Sequence, residues 1–383
     1  MAGWASTAHA DWRACQRQPT RACLLEEALR GDGAPLAGKD RLDVLILAGA
    51  IIHTEYATAA DIDEAVRQAK STPTGYNYAS LAVRGLVAEN RLQQAADLVA
   101  SLRGALQYSA IFELARALAK AGDFDASVAL FDRIAPTLDP STRYTAGRIR
   151  VVEYVKAAAE GGKIEDALLI MMSIQADYPP FPDYQLADMR MAVGEAYAIR
   201  GDTRRAQRLF DVGRQSLEKA RHDVAPSAAD SIRFSLISLS ALRGDADAVR
   251  TALQQLPPEP ADRLAASYRT QGYQRVVGSL LKAKQFPLAL EVAKSAPASA
   301  RDQALLMANT ENAANGRIDD ARAVMALFSE KMDPKTRAIA VRNVAVAMVK
   351  AGRLAAAVEM AAQANDPVGR RAVLFAIAQA LPQ

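Results

Sequence analysis

The chain's two cysteines, Cys15 and Cys23, lie close together with Pro19 between them, in a segment that reads as two short helices meeting at a turn. That arrangement lets the sulfurs meet, and a bridge closing so short a loop contributes roughly 2–3 kcal/mol. Such a bridge is expected of an exported protein, whereas in a reducing compartment the pair would remain two thiols. A structural zinc site needs four ligands, and none of the three histidines, His9, His53 and His222, lies near the pair. The chain carries no phosphate-loop, zinc-protease, nucleophile-elbow or dinucleotide-binding motif. Gly161-Gly162-Lys163 lacks the preceding strand and following hydroxyl of a phosphate loop, so it reads as a turn between helices. Glu153, Glu160 and Glu195 fall at spacings expected of solvated or packed helix faces. These features point to a non-enzymatic protein with no cofactor and no metal.

What remains is binding chemistry. Arg143, Arg263, Arg301, Arg337 and Arg370 each follow a proline at the start of a helical stretch. The plainer expectation is a structural ladder, each guanidinium meeting an acid or an open carbonyl. The sharper one is a basic stripe for an acidic peptide or polymer, to which Arg148, Arg150, Arg275 and Arg342 would add. A second candidate is Tyr178-Pro-Pro-Phe181-Pro-Asp-Tyr184, a stiff segment with three aromatics in a chain only 6% aromatic. Tyr178, Phe181 and Tyr184 are either packed onto the helices beneath or exposed as anchors for a protein.

The elements that position these residues are set by a recurring phrase: a turn residue, a spacer, an apolar residue, and a small residue further on. It stands at Gly122 with Phe124 and Ser127, at Gly162 with Ile164 and Ala167, and at Gly201 with Thr203 and Ala206. Gly316 with Ile318 and Ala321, and Gly352 with Leu354 and Ala357, repeat it. Asn90, Gly244 and Lys284 head weaker copies, Val249 replacing the small residue after Gly244. The copies recur at intervals of about 32 to 43 residues between stretches of helical periodicity, so each reads as a tight turn joining two antiparallel helices. Asp139, Asp333 and Asp366, each just before a proline, read as helix caps, because the carboxylate takes an orphan amide and proline has none to satisfy.

The stretch Val193-Gly194, Tyr197, Gly201, Ala206 and Phe210 is similar to the tetratricopeptide (TPR) consensus at each of those spacings. Leu114-Ala115 with Gly122 and Phe131, and Val344-Ala345 with Gly352, Ala357 and Ala361, keep the small residues and lose the tyrosine. The resemblance covers the chain from about Tyr76 onward. It implies an all-α, TPR-like solenoid, a right-handed superhelix of about eight helix pairs, whose inner wall receives a protein partner. Units longer than the usual ~34 residues leave a looser α-solenoid class open.

Composition agrees: half of the 383 residues are hydrophobic, and no alternating β-branched run is long enough for a sheet. The expected organisation is 1–10 as a remnant of an export signal, 11–75 as an N-terminal helical cap, 76–220 as the first part of the array, and 221–383 as the second with a closing helix. Ala8-His9-Ala10 resembles a signal-peptide cleavage region, although the basic and apolar regions that precede such a site are missing. Leu42 to Ile52 is about half the ~20 residues a membrane span needs. A net charge of +4, without a dense basic face carrying interleaved aromatics, argues against nucleic acid. The sequence therefore suggests a periplasmic protein-binding scaffold with envelope-protein partners, with homo-oligomerisation and a cytoplasmic location left open. The alternative is a binder or sensor of an anionic ligand or polysaccharide through an arginine-lined groove.

Overall fold

The computed structural model describes residues 12–30, 34–49, 58–72, 76–122, 124–177, 182–220, 226–257, 263–364 and 366–382. Ala8-His9-Ala10, His53, His222, Tyr178 and Phe181 lie outside the described residues. Among the described residues the chain is all-helical, with twenty-one α-helices. In order they are α1 (Trp12–Arg17), α2 (Arg21–Ala28), α3 (Gly38–Leu47), α4 (Ala59–Ser71), α5 (Tyr76–Ala88), α6 (Leu92–Ser101), α7 (Gly104–Ala121), α8 (Phe124–Ile134), α9 (Pro140–Glu160), α10 (Ile164–Asp177) and α11 (Asp183–Ile199). There follow α12 (Thr203–Ala220), α13 (Pro226–Leu242), α14 (Ala246–Gln254), α15 (Arg263–Lys282), α16 (Phe286–Ser295), α17 (Ala298–Ala314), α18 (Ile318–Met325), α19 (Pro334–Lys350), α20 (Leu354–Met360) and α21 (Pro367–Ala380). No described helix is long and apolar enough to cross a membrane.

The recurring phrase works the same way at every copy. Asn90, Gly122, Gly162, Gly201, Gly244, Lys284, Gly316 and Gly352 all have positive φ, and the next helix starts two residues later. At Gly162, Lys284, Gly316 and Gly352 the following residue donates its N–H to the carbonyl five positions back, at 2.8 Å each time, which closes the helix end. The position five after the turn residue is buried in all eight copies, Val249 included. A side chain in the left-handed region is strained where glycine is not. Replacing Asn90 and Lys284 with glycine is therefore expected to raise stability by about 1 kcal/mol each. Urea unfolding followed by circular dichroism would show it as a higher midpoint.

Pro140, Pro334 and Pro367 open α9, α19 and α21 as expected, Pro297 stands just before α17, and Pro260 lies outside the described residues. The Asp333 carboxylate accepts from the Thr336 N–H at 2.9 Å, and Asp366 accepts from the Gly369 N–H at 2.8 Å. Cys15 and Cys23 lie with their sulfurs at bonding distance, 1.98 Å, and join α1 to α2.

The helices form two compact units. The first comprises residues 1–57 and 286–383, and the second residues 58–285. These limits differ from the expected 11–75, 76–220 and 221–383. The first reason is that α1 to α3 find their apolar neighbours on α19 to α21: Cys15, Leu24, Val44 and Leu45 share one core with Val341, Val344, Phe375 and Ile377. The second is that α4 packs on α5 instead, and α13 packs on α15 in the same unit as α11 and α12.

In the second unit glycine permits close helix contact. A Cβ on Gly194 would lie 2.5 Å from the Phe210 ring, and one on Gly272 would lie 2.2 Å from Phe234. Each ring therefore seats against bare backbone, and both rings are buried. Helices α7, α9 and α11 pack in succession, each on the next.

Candidate partner-binding surface

The arginines that follow the helix-opening prolines turn back on the chain. Arg143 donates from Nε to the Ala135 carbonyl at 2.7 Å, Arg301 from Nε to Ala296 at 3.3 Å, and Arg337 from Nη2 to Ser329 at 3.0 Å. Each accepting carbonyl lies in the connection from the preceding helix, where carbonyls lack helical partners and a cation is favoured. The plainer expectation, a guanidinium on an open carbonyl, describes these three. Arg143 and Arg301 keep an exposed flank.

The other arginines part ways. Arg150 is only 4% exposed, with its guanidinium 5.8 Å from the ring centres of both Phe124 and Phe131. It was expected to line an accessible wall, but it is held in an aromatic sandwich and does not reach one. Arg342 is turned away in the first unit, donating to the Leu47 carbonyl at 3.0 Å and to the Asn343 Oδ1 at 2.8 Å. Burial lowers its pKa from the usual value. Arg275 donates to the Ser235 hydroxyl and lies 3.8 Å from the Asp188 carboxylate. Two turns further along both helices, Lys282 meets Glu195 at 2.5 Å. The pair of struts ties α15 to α11, so Arg275 is already engaged.

Arg148 and Tyr184 stand together. Burial lowers the pKa of Arg148, and the neighbouring Tyr184 hydroxyl partly opposes the shift. Tyr184, at the start of α11, is 40% exposed, and Tyr108, on α7, is 49% exposed. Between those helices, α9 carries Arg148. The Tyr184 ring is thus open to solvent, and Tyr108 is a second exposed tyrosine, at a position that spacing alone did not mark. Its signal was present: a tyrosine among the few aromatics of the chain, placed near a helix start.

In the first unit an open depression of about 510 Å³ is lined by Arg322 and Arg337, with Asp319, Met325, Met360 and Gln363. Among the described residues no group of three acidic, histidine or cysteine side chains is placed to hold a metal. Glu153 is occupied by Lys156 at 3.4 Å.

The chain matches no protein-family model and no curated protein.

Proposed function

We propose that the chain is a TPR-like α-solenoid of about eight helix pairs that acts as a non-enzymatic scaffold for protein partners in an exported compartment. The TPR-like part is supported by the eight positive-φ turns and by the Gly194–Phe210 interlock at the consensus positions. The scaffold reading is carried by one observation: Tyr108 and Tyr184 are exposed on α7 and α11, on either side of the helix that bears half-buried Arg148. Tyrosine and arginine, part rigid and apolar, part hydrogen-bonding, are the residue types that dominate binding energy at protein interfaces. The location is supported by the joined cysteines, which suit an oxidising compartment such as a periplasm.

The test is affinity capture from the native cell after mild cross-linking, with alkylation before lysis to score Cys15 and Cys23. The combined Tyr108→Ala and Tyr184→Ala variant is expected to recover about tenfold less of a defined protein partner, with its helix content unchanged. Equal recovery would reject the surface, and recovery with alkylated thiols would reject the compartment.

A second reading, binding of an anionic ligand, draws on the depression with Arg322 and Arg337. It requires an association that weakens steeply with salt and that is lost when both arginines become glutamine.

A further inference from the structure

Helix α10 buries Ile164 and Ala167, packs Leu168, Ile170 and Met171 partly against the core, and turns Glu165, Asp166, Leu169 and Met172 outward. Leu169 and Met172, three residues apart and so on one stripe, are 64% and 69% exposed. Single exposed apolar side chains are ordinary, whereas these two stand in register and form a small apolar stripe. The same helix carries Glu165 and Asp166, exposed in its first turn, and no basic residue at all.

Helix α12 has the opposite character. Its exposed side carries Arg204 and Arg208 above Val212. Arg204 stands in the first turn, where the positive end of the helix dipole repels a cation. The Asp202 carboxylate at the start of α12 is taken by Arg205, at 3.0 Å from its N–H and 3.4 Å from its guanidinium, and neither Arg204 nor Arg208 has an ion-pair partner among the described residues; the same holds for Glu165 and Asp166. Two opposite charge pairs, one in the first turn of α10 and one over the first two turns of α12, each followed by exposed apolar surface, thus occur within one compact unit.

We propose that α10 and α12 form a self-association face whose occupant is a second copy of this chain. Both helices pack on α11, one preceding it and one following, and as antiparallel hairpins with α11 they run in the same direction along the unit. A two-fold axis along that direction sets Glu165 and Asp166 of one copy against Arg204 and Arg208 of the other, and does so twice. This is the self-complementary pattern that a symmetric dimer requires. The apolar residues Leu169, Met172 and Val212 then lie one to two turns further along the same helices, where α10 of each copy faces α12 of the other and they lose water together. The charges set register and orientation, and the apolar residues supply the burial.

The experiment is sedimentation velocity on the full chain over a concentration series at low salt. The unaltered protein is expected to dimerise, with association weakening as salt rises. The variant Glu165→Arg/Asp166→Arg makes both of these charge clusters basic, and Arg204→Glu/Arg208→Glu makes both acidic. Each alone is expected to associate at least about tenfold more weakly, because like charges then meet at both contacts. Mixed in equal amounts, the two are expected to regain the dimer, since every contact is again between opposite charges. These are exposed positions, and unchanged circular dichroism confirms folding. A monomeric unaltered protein, a dimer that survives in either variant alone, or a mixture that stays monomeric would each overturn the proposal. Should one charge variant fail to fold, Leu169→Gln/Met172→Gln reads the same face, and an undiminished dimer there would overturn it too.

Discussion

Replacing Asp230 with alanine is expected to destabilise the protein by about 3–5 kcal/mol, because it strands a buried cation. Asp230 on α13 accepts from Arg269 of α15 at 2.6 and 3.0 Å, and its other oxygen accepts from Arg233 at 2.8 Å. Arg269 also donates to the Pro257 carbonyl at 2.8 Å. Both Asp230 and Arg269 are buried, whereas Arg233 is partly open to water. Without the carboxylate, the Arg269 guanidinium would keep its desolvation penalty and lose its counter-charge. An alanine at 269 leaves Asp230 with Arg233 and so costs less. The double variant Asp230→Leu/Arg269→Met removes both charges and is expected to recover most of the loss. Urea unfolding of the four proteins measures all of this. A double variant no better than Asp230→Ala would show that the pair holds more than charge.

The second large effect is expected at Arg342. Its guanidinium lies against the C-terminal end of α3, donating to the Leu47 carbonyl across 295 residues of sequence. It is linked through Asn343 to Thr310 at 2.9 Å, and Asn309 of the same helix donates to the Ala321 carbonyl at 3.1 Å. This polar chain crosses α3, α19, α17 and α18. The backbone at Gly49, φ 65°, passes so close that a Cβ there would meet Nη1 at 2.5 Å. Charged hydrogen bonds of this kind contribute about 1.5–3 kcal/mol. Arg342→Ala is therefore expected to speed amide exchange in α3 by about tenfold to a hundredfold while leaving α11 and α13 as they were. Exchange that rises equally in both units, or in neither, would remove Arg342 from the role of holding α3.

Much of the local structure was legible because it is set by single residues. Left-handed turns need glycine or a tolerant substitute, Asp before Pro caps a helix, and a residue five past the turn faces inward; each rule held at named positions such as Gly352, Asp366 and Val249. The cysteine pair was legible for the same reason. Contacts between helices were harder to see. Arg269–Asp230 and Arg275–Ser235 span 39 and 40 residues, close to one repeat step, so the pattern was available to a reading that pairs positions across neighbouring copies. Arg150 looked like a wall residue because a guanidinium between two rings leaves no mark in charge or periodicity. Arg342 could not have been placed at all, since no repeat spacing links it to Leu47. The candidate surface was half legible: Tyr184 stood out through its proline-rich neighbourhood, and Tyr108 did not.

Because α1 to α3 share their core with α19 to α21, the first unit is a discontinuous one. During synthesis its opening helices emerge with their apolar faces unmatched, and residues 58–285 can fold before the matching surface exists. The exposed faces of Leu24, Val44 and Leu45 must wait for Val344 and Phe375, an interval in which a holding chaperone would find them. Closing so long a loop adds little to the final free energy but slows the last step of folding. Loss of α21 alone would thus be felt at the opposite end of the sequence.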